Sequence, residues 1–586
     1  MEDENYNKIK INQKNAQQVQ QNYISNGFDI ANNLKAFETP SIFTISGNSL
    51  HSRVELVSSV DEDENEGDSD IISDLIGHIG TWQLFWAIIM CLYQFPTTFH
   101  IFCLVFQAAT KDFWCSRPDN LQMISMEHWR NMTQPTSQCQ MIDAPYDKMD
   151  AFNFTQTMLN ATAAKFIKCN SWEFDMSFIG KTIVSEWNMV CDKGYLASVV
   201  ESCFLAGAGL GSVSSGYISD QYGRKKTLMV FATIQLVTGT LLGFCESMEI
   251  YMVGRVIIGF ASMAVVVVSF VLCVELVSGK WRTIIGIFNI LPVAIAYIIC
   301  AIISYLTYNW RPMQFVITSP TLFLLLLWPF VPESPRWLLS RGRLDELSEM
   351  VQKASRWNNI QLPTNFKKMI ASTMEINEQE SNRKVSVLDL FQKGYKLKTA
   401  LMAIAWFSII LIYFGITLHM GFLGGNIYIN VLIAGTVEAI SIALSVFVVL
   451  KLGLRINLII YLIVAGIACL FINYVRADNL WLTITLAMIV KIAIGASNAL
   501  IPTFTANHYP VYMRNLGIGA GNLSAGFALV LVPYLFLLEK VEEHLPMSIL
   551  GTVGLIGAIS LLFIKDKSMT KKSASQETQI NNASSI

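Results

Sequence analysis

The sequence predicts an all-α membrane protein: twelve transmembrane helices in two six-helix pseudo-repeats, with a large loop between helices 1 and 2. Three observations carry this. Hydrophobic residues make up 53% of the 586 and charged residues only 15%, against about 25% charged in an average soluble chain. Uncharged runs of about 20 residues recur along the chain, the length that crosses a hydrocarbon core of roughly 30 Å. Two long polar loops then divide these runs. The 44 acidic and 42 basic residues nearly cancel, so no nucleic-acid partner is expected.

Residues 1–73 are polar, rich in Asn and Gln, and include the acidic run Asp61-Glu62-Asp63-Glu64. This composition predicts a solvated, disordered tail, and with no apolar run after Met1 no cleaved leader is expected. The first six-helix half occupies 74–332, with apolar segments at 82–109, 196–218, 227–245, 251–274, 284–308 and 313–332. A linker, 333–398, contains Leu344, Leu347, Met350, Val351 and Ala354 at helical spacing beside charged residues, which predicts an amphipathic helix. The second half, 399–564, has segments at 399–420, 427–450, 456–475, 481–503, 515–538 and 546–564, and 565–586 is a tail. Pro96, Pro292, Pro320, Pro502 and Pro533 interrupt spans, as is tolerated where neighbouring helices re-satisfy the backbone.

Basic residues set the orientation. Arg224, Lys225 and Lys226 lie between spans 2 and 3, Lys280 and Arg282 between 4 and 5, and Lys451 and Arg455 between 8 and 9, while the alternate short links are acidic or neutral. Both termini and the linker are therefore expected in the cytoplasm and the 110–195 loop outside the cell. That loop carries Cys115, Cys139, Cys169 and Cys191, an even number on an oxidising face, so two disulfides are expected with three pairings open. It also carries acceptor sequons at Asn131, Asn153 and Asn160. Asn522 and Asn582 match the same pattern but fall inside a span and in the C-terminal tail.

The halves echo each other, as in repeat-built transporters. Arg255-Val-Ile-Ile-Gly259 opens span 4, and Lys491-Ile-Ala-Ile-Gly495 sits in span 10. Between spans 2 and 3, Gly216-Tyr-Ile-Ser-Asp220-Gln-Tyr-Gly223-Arg224-Lys225-Lys226 has the spacing of a latch, with Gly216 expected to allow close helix approach and Gly223 a tight turn. This stretch resembles the loop signature of the major facilitator superfamily, and Pro332-Glu333-Ser-Pro335-Arg336-Trp337-Leu-Leu resembles a stretch shared by sugar porters and organic-ion transporters. The resemblance implies the major facilitator fold and a cytoplasmic ion-pair network of Asp220, Arg224, Glu275, Arg282, Glu333 and Arg336 that holds the outward-facing state. The stretches Cys169-Asn-Ser-Trp172, Thr182–Cys191, Tyr413–Gly421, Gly425–Tyr428 and Tyr509–Gly517 resemble the organic cation/anion/carnitine transporter family, the cation branch most closely. The resemblance runs from about Asp74 to Lys565.

Charges at mid-helix cost about 2.5–3.5 kcal/mol each, so Glu438 in span 8 and Lys491 in span 10 are candidates for substrate contact, or for pairing with each other. Trp406, Tyr413 and Phe414 in span 7 offer an aromatic wall suited to cations, and Asn498 a neutral polar group. By the resemblance, Gly526 in span 11 stands where cation transporters carry an aspartate and anion transporters an arginine, and Met263 and Ile409 replace a lysine and an acidic residue. No phosphate loop, metal-ligand spacing or nucleophile elbow occurs, so no catalytic residue, metal or cofactor is expected. The expected function is transport of small organic ions, cations or carnitine-like zwitterions, by alternating access in the plasma membrane, with the lipid bilayer and the substrate as partners and no obligate protein partner. A sugar porter and a transport-inactive sensor or scaffold are the alternatives.

Overall fold

The computed structural model describes residues 71–564 except 110, 135–136, 147–148, 161–164, 177–179, 381–389, 391, 393, 422–424, 476–478, 510–512 and 543. The acidic run and the C-terminal tail lie outside these residues. Among the described residues, eleven helices are long and apolar enough to cross a membrane. They are span 1 (Thr81–Gln107), span 2 (Cys191–Tyr222), span 3 (Arg224–Gly243), span 4 (Met248–Glu275), span 5 (Trp281–Thr307), span 7 (Lys396–Leu418), span 8 (Ile427–Leu452), span 9 (Leu454–Ile472), span 10 (Leu480–His508), span 11 (Leu516–Glu539) and span 12 (Leu545–Leu562). The expected sixth span is the 17-residue helix Trp310–Leu326, about 26 Å long and at the short end of what crosses a bilayer.

Two spans are less regular than their apolar runs predict. Span 1 breaks at Tyr93, between Thr81–Leu92 and Gln94–Gln107. Pro96 falls in the first turn of the second segment, where its missing N–H is harmless. The Tyr93 hydroxyl donates to Leu324 O at 2.9 Å, which ties the break to span 6. Span 5 breaks at Asn289 and Ile290, with Pro292 restarting the helix.

The two halves meet at mid-membrane. Gly209 of span 2 lies against Gly526 of span 11, so close that a Cβ on either would stand 3.2 Å from the other's Cα. Gly435 of span 8 lies against Ile298 and Ala294 of span 5. Towards the long-loop end, Phe102 stacks on Phe414 at 6.1 Å and Phe106 on Tyr428 at 5.7 Å.

The linker forms the helix Leu344–Trp357, which buries Leu347, Met350, Val351 and Ala354. Asn358 fastens its end to the start of span 1: Nδ2 donates to Ile76 O at 3.0 Å and Gln83 Oε1 at 2.7 Å, and Oδ1 accepts from the Trp82 N–H. The first long loop is a small folded module. Strand β1 (Phe113–Cys115) pairs antiparallel with β4 (Trp172–Phe174), and β2 (Gln140–Ile142) with β3 (Phe166–Lys168). Its core gathers Trp114, Leu121, Trp129, Tyr146 and Phe154.

Candidate functional site

Glu438 and Lys491 form an ion pair at the centre of the second half, Nζ 3.0 Å from Oε2, with side chains 1% and 0% exposed. Span 7 completes the surroundings. Lys491 donates to Thr417 Oγ1 at 2.5 Å and lies 4.1 Å from the centre of the Tyr413 ring. Tyr297 of span 5, in the other half, stands 5.6 Å from the same ammonium and donates its hydroxyl to Thr417 O. Oε1 of Glu438 has no well-aligned hydrogen-bond donor among the described residues, and the Tyr413 hydroxyl lies within reach of the same carboxylate. Two charges, two aromatic faces and incompletely paired polar atoms thus sit in an apolar shell. A desolvated cation over an aromatic face gains about 2 kcal/mol, so an organic ammonium could be held by the same groups that hold Lys491.

Not every expected site residue converges here. Phe414 makes an edge contact with Tyr413 at 5.2 Å, one layer back from the pair. Trp406 is two turns away; its Nε1–H donates to Thr505 Oγ1 at 2.9 Å, and its ring fills the space beside Gly521. Asn498, two turns beyond Lys491 on span 10, is half-buried. Gly526 faces the Gly209 backbone, so in this conformation it seals a helix crossing and lines no pocket.

Sequence reasoning missed one member of this site and the depth of one charge in the first half. Tyr297 gave no signal, being one aromatic residue in an apolar run. Arg255 counted only as an echo of Lys491, and Lys491 was the only charge expected at Glu438's depth. Arg255 is in fact 1% exposed and stacks over Phe204 at 4.5 Å. The repeat relates Arg255 to Lys491. Gly223 and Gly453 end spans 2 and 8 with φ of 100° and 78°, and Ala208 and Glu438 each lie fifteen residues before them. Gly259 packs on Phe204 and Ala208, and Gly495 on Glu438. Glu438 is therefore an addition of the second half at a crossing that the first half closes with alanine.

The latch is assembled, with changes to its expected wiring. Arg224 bridges Asp220 at 2.8 Å and Glu275 at 3.0 Å. Glu333 accepts three backbone N–H groups, from Arg224 at 2.8 Å and from Lys225 and Ser334 at 3.0 Å, and so caps the start of span 3 as an anion at a helix N-terminus. Burial holds the Glu333 carboxyl above its ordinary range despite those bonds. Arg336 donates to Val277 O and Ser278 Oγ, and Arg282 has no ion-pair partner among the described residues. Arg341, not expected, donates to Asp220 O at 2.6 Å, as Trp337 does at 2.9 Å. Gly223 adopts φ +100° against Glu333, but Gly216 faces open space, so the close approach expected there does not occur.

In the long loop, Cys115 is bonded to Cys169 and Cys139 to Cys191. Asn131 and Asn153 are exposed; the side chain of Asn160 lies outside the described residues. Glu186 clamps the module to the end of span 6, accepting from Arg311 and from the Trp310 Nε1–H, both at 2.6 Å.

The family profile described as sugar (and other) transporter matches residues 145–564. The chain is 31% identical over 539 residues to the organic cation transporter protein of Drosophila melanogaster, covering 87% of this chain and 96% of that one. It is 28% identical to the human organic cation/carnitine transporter 2, over 85% and 91% of the two chains. In fold it resembles the proton:xylose symporter XylE, a major facilitator protein, with a TM-score of 0.58 at 16% identity, over 83% and 96% of the two chains.

Proposed function

The chain belongs to the organic cation/anion/carnitine transporter family of the major facilitator superfamily, and from that premise we propose that it carries small organic cations or zwitterions across the plasma membrane by alternating access. Family members are transporters, not enzymes. The observation that supports this substrate class best is the enclosed Glu438–Lys491 pair under the ring of Tyr413. A cationic substrate takes the place of the lysine against Glu438 and the ring, while a zwitterion engages both charges. Neither charge meets solvent, so loading requires the halves to part at the Gly209–Gly526 and Phe102–Phe414 contacts. The latch around Arg224 biases the two states; a few kcal/mol suffice for that. Both termini lie in the cytoplasm, and the disulfide-bonded loop lies outside with its sequons glycosylated. A sugar substrate is the weaker reading, since the relatives are named for organic cations and carnitine.

Uptake by cells expressing the chain tests this, using labelled tetraethylammonium, L-carnitine, an organic anion and a hexose. Uptake of one of the first two, inhibited by unlabelled cations, is expected. Uptake of the hexose alone would overturn the reading.

A further inference from the structure

Two helix breaks meet at one sulfur in the first half. Span 1 breaks at Tyr93, two residues after Cys91, and span 5 breaks at Asn289 and Ile290. The Asn289 amide donates from Nδ2 to Cys91 Sγ at 3.3 Å. Its Oδ1 accepts at 3.1 Å from Gln94, the first residue of span 1 beyond the break. Both amides are buried. One side chain of span 5 therefore holds the two sides of the span 1 break.

A second thiol reaches the same place from span 4. Cys273 donates to Ala87 O at 3.8 Å, the carbonyl that the Cys91 N–H meets one helical turn on. The two thiols are hydrogen-bonded to each other, and Asn289 reaches both. Cys273 is fully buried and Cys91 half-buried. The four cysteines of the long loop are bonded in pairs, whereas these two are free thiols on the linker side of the bundle. A reduced pair in contact on a cytoplasmic face is the arrangement of a redox-sensing site, not of a structural cross-link. Partial exposure and an amide donor also mark Cys91 as the reactive member.

We propose that Cys91 and Cys273 are a redox modification site: a peroxide converts them to a disulfide that stops the transport cycle. The inference goes beyond the substrate reading and holds whatever the chain carries. With hydrogen peroxide as oxidant, Cys91 Sγ attacks one peroxide oxygen and the O–O bond breaks. Cys91 becomes a sulfenic acid and one water leaves. Cys273 Sγ then attacks Cys91 Sγ, the S–O bond breaks, and the hydroxyl leaves with the Cys273 proton as a second water. The two sulfurs have given two electrons to the peroxide. An S–S bond is about 2.05 Å long, shorter than any contact between unbonded sulfurs, so closing it draws the segment Thr81–Leu92 onto span 4. That segment is then pinned beside the latch, because Cys273 lies two residues before Glu275, which holds Arg224. The break at Tyr93 loses its freedom to bend, and the chain from Cys91 through Asn289 to Gln94 carries the constraint into span 5. Beyond their breaks, spans 1 and 5 both touch the second half, through Phe102 on Phe414 and the Tyr297 hydroxyl on Thr417 O. A dithiol reductant reverses the bond by thiol–disulfide exchange.

The test treats the full chain in liposomes with hydrogen peroxide, alkylates it with iodoacetamide and digests it without reductant. Mass spectra are expected to show a peptide joining Cys91 to Cys273, absent before peroxide and after dithiothreitol. Both cysteines alkylated after peroxide, or joined only to other cysteines, overturns the site. In the same liposomes, peroxide is expected to lower uptake of labelled tetraethylammonium or L-carnitine several-fold, and dithiothreitol to restore it. Cys273→Ser is expected to keep its untreated uptake and to resist peroxide; Cys91→Ser takes its place if Cys273→Ser does not fold. Equal inhibition of the wild type and the variant overturns the control of transport. Uptake of neither tracer counts against the organic-ion reading, and the peptide map still decides the thiol site.

Discussion

Lys491 and Glu438 are more easily tolerated together than singly. Removing one partner of a buried pair costs about 3–5 kcal/mol, because the other charge is left uncompensated, whereas replacing both is close to neutral. Glu438→Gln and Lys491→Met are therefore each expected to lower the amount of protein at the cell surface. The double variant is expected to restore the amount but not the uptake, as read by surface labelling beside tracer flux. Normal cation uptake by the double variant would leave the pair a purely structural role. Both charges are legible in the sequence because each interrupts a long apolar run. Arg255 is not: it lies about 10 Å from the end of span 4, where a long side chain can reach the interface, and only its packing over the Phe204 ring fixes its depth. Trp406 and Tyr413 share a face of span 7, so periodicity could not say which of them meets the lysine. The crossing of spans 8 and 10 decides for Tyr413.

At the scale of elements, the latch ties the start of span 3 to the linker through a carboxylate, not through a guanidinium alone. Charge-assisted hydrogen bonds contribute about 1.5–3 kcal/mol each, and Glu333→Ala leaves three N–H groups without their acceptor. Glu333→Ala and Asp220→Asn are expected to slow uptake several-fold at equal surface amount; wild-type rates in both would reduce the motif to a topology signal. In the long loop, burial raises the Glu186 carboxyl, but hydrogen bonds from Arg311 and Trp310 more than offset this and hold it below its ordinary value of 4.5. Its stabilisation is complete above that value and is lost as pH falls through the depressed one. Proteolysis of the loop by an acid-active protease is thus expected to quicken only below pH 4.5, while Glu186→Gln shows the faster cleavage already at higher pH. Non-reduced peptide mapping is expected to recover Cys115 with Cys169 and Cys139 with Cys191; any other pairing refutes this connectivity. The even cysteine count was readable in advance. The module's fold was not, because β1 and β4 are three-residue strands far apart in sequence, too short for alternation to register.

At the scale of the molecule, the run lengths and the two long loops carried nearly all of the architecture, and the breaks at Tyr93 and Asn289 escaped because apolar runs continue through them. The proposed orientation has a direct test: glycosidase treatment of intact cells is expected to shift the wild-type band and to leave an Asn131, Asn153 and Asn160→Gln triple variant unmoved. No shift in the wild type would remove the glycosylation. The Gly209–Gly526 crossing bears on speed as well as closure. Two residues without side chains can part without any rotamer being chosen or released, so this part of the boundary behaves as a plain bearing with little friction. The aromatic stacks of Phe102 on Phe414 and Phe106 on Tyr428 have to separate face from face. Of these two kinds of contact, the rings at the long-loop end therefore resist separation more than the glycines at the waist do.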